Sequence, residues 1–211
     1  MLEAYLQQGR IEAGVDEAGR GPLAGPVYAA AVVLPQRFGE DEETRALAEC
    51  LNDSKQLTER KRELLRPQIE ALAWAWGVGS CSAKEIDEIN ILNASIKAMH
   101  RALDQCVQRL GGKHIDCVLV DGNRFKPWRD IDFQTIVKGD GKMMSIAAAS
   151  ILAKTHHDEY LRKAAARFPQ YGWDRNKGYP TRAHREAIKL FGTCEEHRQT
   201  FQLLPNQLTL F

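Results

Sequence analysis

Short apolar runs and longer stretches with apolar residues every three or four positions alternate along this chain, and the two patterns predict strands and helices in turn. Residues 11–15 and 27–34 read as strands, the second so uniformly apolar that burial on both faces is expected. The connection between them is tight and rich in Gly and Pro. Residues 35–52 are acidic and weakly patterned, which predicts a loop with at most a short helix. Thr58 is placed to cap a helix carrying Leu64, Leu65, Ile69 and Leu72 on one side. A third strand is expected over 74–80. Ser82 and Glu85 then have capping-box spacing and open a short helix that ends near Asn90. From Ile91 a longer helix aligns Leu92, Ile96, Met99, Leu103 and Val107, and Gly111-Gly112 stops it. Strands follow over 115–120 and 133–137. One long helix is predicted over 141–168, and another from Thr181 to Phe191 with Gly192 as its stop. Strands first, then strands alternating with helices, indicate an α/β domain built on one mixed sheet.

Composition narrows the classes. A chain of 211 residues suits one core with additions. No apolar run approaches the roughly 20 residues of a membrane-spanning helix, and residues 1–8 lack the pattern of a secretion signal, so a soluble, cytoplasmic protein is expected. Five widely spaced cysteines show no zinc or redox pairing and read as packed thiols. A net charge of +1 leaves nucleic-acid binding to a local patch.

The chemistry concentrates in Asp16-Glu17-Ala18-Gly19-Arg20-Gly21-Pro22, which sets two carboxylates, a free backbone and a cation at the end of an apolar strand. An adjacent Asp and Glu are most often a solvated acidic pair. Consecutive side chains on a strand point to opposite faces, so these two can share a site only where the strand ends and turns. Asp121 also stands at a predicted strand end, where sites collect in α/β sheets. Asp140 falls at a predicted helix N-terminus, where an ordinary N-cap is the competing reading. Four converging carboxylates repel one another unless a divalent cation lies among them, and all-oxygen ligation selects Mg²⁺ or Mn²⁺. Two such ions would activate a water for phosphodiester hydrolysis. Asp158 shares the helix of Asp140 but lies roughly 27 Å along it at about 1.5 Å per residue, too far to join. His156 and His157 face different directions, as surface or core residues.

With those residues in place the chain resembles the bacterial ribonuclease HII family, type 2 ribonuclease H, from about Ile11 to Phe201. The blocks that carry the likeness are residues 16–27, Asp53-Ser54-Lys55-Gln56-Leu57, Asn90-Ile91-Leu92, Val120-Asp121-Gly122-Asn123, Lys138-Gly139-Asp140, residues 145–154 and Asn176-Lys177-Gly178-Tyr179-Pro180-Thr181. The resemblance implies a ribonuclease H-like fold, a mixed five-stranded sheet flanked by helices with a C-terminal helical extension. Residues 1–203 would be the catalytic domain and 204–211 a tail. It places the family's four metal-binding carboxylates on Asp16, Glu17, Asp121 and Asp140. It implies cleavage of RNA in RNA/DNA hybrids and nicking 5′ of single ribonucleotides in duplex DNA, with 3′-hydroxyl and 5′-phosphate ends. The backbone of Gly19, Arg20 and Gly21 would contact the 2′-hydroxyl, Tyr179 would pack on the deoxyribose 3′ of the ribonucleotide, and Ser54 and Lys55 would lie near phosphates. The chain departs from the family pattern at His156-His157, where a Thr-Arg type pair is expected, and at the acidic Glu195-Glu196.

The last residues, Gln207-Leu208-Thr209-Leu210-Phe211, resemble the pentapeptide with which bacterial replication and repair proteins dock on the sliding clamp. Gln207, Leu208, Leu210 and Phe211 are therefore expected partner contacts, and an apolar terminus packed on its own domain is the alternative. A monomer is expected. Two further readings keep part of this picture: a metal-dependent nuclease of DNA junctions of related fold, and a non-catalytic, clamp-associated hybrid-binding protein.

Overall fold

A computed structural model describes residues 2–52 and 54–204, so the expectation for Gln207, Leu208, Leu210 and Phe211 lies outside the described residues. Among the described residues five strands form one sheet in the order β3-β2-β1-β4-β5. Strands β1 (Glu12–Ala18), β2 (Val27–Val33) and β3 (Ala75–Cys81) pair antiparallel, while β4 (Cys117–Asp121) and β5 (Asp132–Ile136) extend the sheet in parallel from β1.

The uniform apolarity of β2 follows from helices on both faces. Ala29, Ala31 and Val33 meet Ala98, Met99 and Ala102 of α3 (Ala83–Arg109). Ala30 and Val32 belong to the opposite core, with Ile151 and Leu152 of α4 (Met144–Arg167) and Leu65 and Ile69 of α2 (Glu59–Leu72). Gly14 sets the spacing on that side, since a Cβ there would lie 2.3 Å from the carbonyl carbon of Ser145. The start of α4 therefore rests directly on β1, and Ser150 one turn further on is carried to Asp16.

Local signals explain most element ends. Ser82 and Glu85 form the expected capping box, and Asn90 (φ 63°) breaks α3 where a boundary is predicted. The Asn93 amide donates to Asn90 Oδ1 at 3.1 Å, so the break carries its own cap. Thr181 caps α6 (Arg182–Phe191), which ends at Gly192. Leu64 departs from its expected buried side and is 59% exposed.

Three expectations need correction. Within 35–52 a nine-residue helix, α1 (Glu42–Cys50), forms because Asp41 accepts from the Thr44 amide and Leu47 and Ala48 find the core. Strand β1 runs on through Ala18, since β2 continues to pair with it. Asp140 is not the cap of the long helix: it sits in a one-turn 3-10 helix, Gly139–Gly141, and α4 begins at Met144 without a side-chain cap. Beyond α4, the short α5 (Trp173–Asn176), α6 and the chain to Leu204 pack on Leu161 and Ala164 as a helical extension. Among the described residues no helix is long and apolar enough to cross a membrane. All five cysteines are free.

Candidate active site

Asp16 and Glu17 lie opposite Ala30 and Ala29 of β2, but the pairing of β1 with β4 ends at Val15 and Val120. One residue further along β4 stands Asp121. The two strands thus present their acidic residues where the ladder between them stops, and that gap, not a turn in β1, lets the groups share one place. Asp16 is buried, and its Oδ1 accepts from the Glu17 amide at 2.7 Å and its carboxylate from the Ser150 hydroxyl. Ser54, also buried, sets its hydroxyl 2.8 Å from that of Ser150. Glu17 meets Arg20 Nη1 at 3.0 Å. Asp121 Oδ1 accepts from the Gly139 amide at 2.7 Å, which ties β4 to the turn that holds the buried Asp140.

Burial pushes the Asp16 carboxyl well above the usual carboxylate range, and the charges of Glu17 and Asp121 push it the same way. Burial raises Glu17 as well, with Asp121 adding to the shift and Arg20 and Lys55 pulling it back. Among the described residues no three His, Cys, Asp or Glu side chains are arranged to hold a metal ion. Each of Asp16, Glu17 and Asp121 is instead held by a protein donor. Their chemistry nonetheless fits a hard divalent cation: the donors are all oxygen, they are shielded from water, and their mutual repulsion is what a cation relieves.

Beside the carboxylates the chain turns through Gly19, whose φ of +88° favours glycine. A Cβ there would also lie 2.4 Å from Cδ2 of His157, which fills the space beneath the loop. Tyr179, 40% exposed, packs its ring over Gly21, and the Lys154 ammonium stands 5.5 Å from the ring centre. Lys55 is exposed. Glu17, Arg20 and Asp121 line one pocket of about 410 Å³ with Leu92, Asn123 and Arg124. A larger hollow of about 550 Å³, against Phe38 and Met144, holds none of these groups.

The residues that departed from the family pattern have structural partners. His156 lies between Arg66 and Glu70, and buried His157 pairs through Nδ1 with Asp158, itself held by Lys154 and Arg62. Asp158 thus belongs to an ion-pair network apart from the four carboxylates. Glu195 pairs with Arg167, and Glu196 accepts from the Tyr160 hydroxyl at 2.7 Å. Sequence reasoning missed Ser150, which supports Asp16, and Arg198, whose buried guanidinium donates to the carbonyls of Gly19, Arg20 and Gly25. Neither stands out in sequence, because a serine on an apolar helix and an arginine in a polar segment are commonplace.

Comparison with known proteins agrees with this architecture. The family model for ribonuclease HII matches residues 13–204. A ribonuclease HII of Parabacteroides distasonis is 57% identical over 210 residues, 100% of this chain and 99% of that protein. Among solved structures, the ribonuclease H2 of Pyrococcus horikoshii superposes with a TM-score of 0.73 at 26% identity, covering 91% of this chain and 94% of that one. The ribonuclease HII of Archaeoglobus fulgidus, in a complex with PCNA, gives a TM-score of 0.70 at 24% identity, over 95% and 100% of the two chains. From its sheet order to its full-length relatives, the chain belongs to the ribonuclease HII family of endoribonucleases.

Proposed function

We propose that this chain nicks duplex DNA on the 5′ side of single embedded ribonucleotides and cuts the RNA strand of RNA/DNA hybrids, leaving 3′-hydroxyl and 5′-phosphate ends. The observation that supports this most is the placing of Glu17 and Asp121 in one pocket with Arg20, Asp16 lying buried against them. Asp16, Glu17, Asp121 and Asp140 hold Mg²⁺ or Mn²⁺ in this reading, and a pair of such ions supplies water activation and charge stabilisation at the leaving oxygen.

The protein's own part is orientation. Ser150 and the Glu17 amide fix Asp16, with Ser54 bracing Ser150 from behind, and the Gly139 amide fixes Asp121. Arg20 balances Glu17 in the free protein and, with its side chain half exposed, is placed to meet a phosphate together with Lys55. The backbone of Gly19, Arg20 and Gly21 reads the 2′-hydroxyl, which distinguishes RNA from DNA. The ring of Tyr179, held over Gly21, packs on the next deoxyribose, where an extra hydroxyl would collide. Residues 1–203 act as one catalytic unit and as a monomer. The tail from Gln207 to Phe211 tethers it to the sliding clamp.

One assay tests the activity: a DNA duplex with a single ribonucleotide, beside an all-DNA junction, each with Mg²⁺ or Mn²⁺. Nicking of the first alone is the expected result. Cutting of the junction, or binding without cutting, would replace this reading with a junction nuclease or a hybrid-binding protein. Deleting 207–211 should abolish clamp binding and leave cleavage of short duplexes intact; unchanged clamp binding refutes the tether.

A further inference from the structure

Arg198 has no exposed surface, yet it touches none of the carboxylates. Its Nη2 donates to the Gly19 carbonyl at 2.6 Å, Nη1 to the Arg20 carbonyl at 3.0 Å and Nε to the Gly25 carbonyl at 2.9 Å. Burial draws the guanidinium down to about 10, so it remains a cation at neutral pH. A planar trans peptide points its C=O and N–H in opposite directions. Drawing the Gly19 and Arg20 carbonyls inward therefore turns the amides of Arg20 and Gly21 away from Arg198, toward the outer side of the loop. A planar fork with fixed donors can hold several carbonyls at once, which an ammonium cannot do with the same geometry.

The residue before it helps anchor the loop that carries Tyr179. The Cys194 amide donates to His197 Nδ1 at 3.0 Å, which leaves the proton of neutral His197 on Nε2, 3.3 Å from His184 Nε2. Trp173 donates to that same His184 nitrogen at 3.0 Å, and His184 Nδ1 donates to the Tyr179 carbonyl at 2.9 Å. Backbone bonds lace the segments together, Arg198 to Leu23 at 2.9 Å, Gly25 to Glu196 at 2.8 Å and Leu23 to Gly178 at 2.7 Å. His197 and Arg198 are adjacent in sequence, so the 19–21 loop and the Tyr179 loop hang from one short piece of backbone.

We propose that Arg198 is a positioning residue for substrate selection, which orients the Arg20 and Gly21 amides and, with His197, sets the gap between the loop and the Tyr179 ring that admits a ribose followed by a deoxyribose. This rests on the sugar-reading role proposed above for the loop and Tyr179. A duplex with one ribonucleotide depends on both walls of that gap, whereas a continuous hybrid offers a ribose at every step of one strand and can be cut in neighbouring registers.

The test compares wild type, Arg198→Lys and Arg198→Met on a duplex with one ribonucleotide and on a continuous RNA/DNA hybrid, with kcat, KM and melting temperature for each. Misplacement by about 1 Å costs on the order of 100-fold. Arg198→Met should lose about that factor in kcat on the one-ribonucleotide duplex, far more than on the hybrid, and Arg198→Lys should recover part of it. Equal losses on both substrates that track the fall in melting temperature would overturn the proposal and leave Arg198 a core residue. Should neither variant fold, amide exchange in wild type decides. Protection of Arg20 and Gly21 by the one-ribonucleotide duplex, and not by an all-DNA duplex, supports the proposal; equal protection by both overturns it. If wild type fails to nick the single ribonucleotide, the reading of the site falls and this inference with it. If wild type nicks and the variant ratios stay level, the inference alone falls.

Discussion

Asp16, Glu17 and Asp121 stand on adjacent strands whose backbone ladders place them, whereas Gly19, Gly21 and Tyr179 belong to loops placed by side chains from the end of the chain. The two regions meet at Arg20, which pairs with Glu17, but follow different physics. At the carboxylates, like charges are forced together on a rigid sheet, which costs stability in the metal-free protein. At the loop, a buried arginine and neutral His184 satisfy backbone carbonyls, with His197 braced between His184 and the Cys194 amide, and thereby fix geometry. In the proposed reading the first region cuts and the second chooses the substrate.

The largest effect expected from breaking this contrast is that of Asp121→Asn. Asn keeps an oxygen to accept from the Gly139 amide but removes the charge that burdens Asp16 and Glu17. Cleavage should fall by about 10³-fold or more, since metal-ion stabilisation is worth several kcal/mol. The metal-free protein should melt higher, by about 2–4 °C per kcal/mol of repulsion relieved, as differential scanning calorimetry would show. A lower metal-free melting point would contradict the crowded-carboxylate account.

Tyr179→Ala acts on the other region. Its ring is 40% exposed, so stability should hardly change, while kcat/KM for the single-ribonucleotide duplex falls by about tenfold, the scale of a lost stacking contact. A comparable loss of melting temperature would make Tyr179 a packing residue instead.

The two regions should also respond to pH with opposite sign. The raised carboxyl of Asp16 favours the folded state below its unfolded value of 3.8 and ceases to do so as pH rises through its folded pKa. Burial first, then the neighbouring His184, lowers His197 to about 4 from 6.5, so its contribution is complete above 6.5 and is lost as pH falls through about 4. Metal-free melting curves from pH 4 to 8 should therefore show His197→Gln weakening the acid-side loss and Asp121→Asn weakening the loss toward neutral pH. If either variant merely shifts the whole profile, the assignment of that limb is wrong.

The smallest effect belongs to Ser150→Ala. Loss of one hydrogen bond to Asp16 is worth about 1 kcal/mol, hence a severalfold fall in cleavage with an unchanged preference between substrates. A change in preference would mean that the two regions are not separable.

The carboxylate region was the more legible in sequence because strands announce themselves by apolar runs and acidic residues at their ends are conspicuous. All five strands and the break at Asn90 follow from local pattern. What pattern could not supply is the reason Asp16 and Glu17 share a site: the ladder to β4 stops while that to β2 continues, a fact of pairing between distant segments. Helix α1 was obscured by its acidic residues, although the Asp41 cap and buried Leu47 suffice to form it. Asp140 looked like a helix cap because the 3-10 turn and the helix after it run together in sequence. The support of the loop was illegible altogether. Arg198 and His197 sit more than 170 residues from the carbonyls of Gly19 and Gly25, with |i−j| of 179 and 173 for the two arginine bonds. No periodicity marks a cation that is buried by such contacts.

The most direct test sets two duplexes that differ by one 2′-hydroxyl before wild type, Asp121→Asn and Tyr179→Ala, and measures the nicking rate of each. Wild type should nick only the duplex with the hydroxyl, Asp121→Asn should nick neither, and Tyr179→Ala should keep the chemistry at a reduced rate on the ribonucleotide. Nicking of the all-DNA duplex by wild type, or full selectivity and rate in Asp121→Asn, would contradict the division between carboxylates that cut and a loop that chooses.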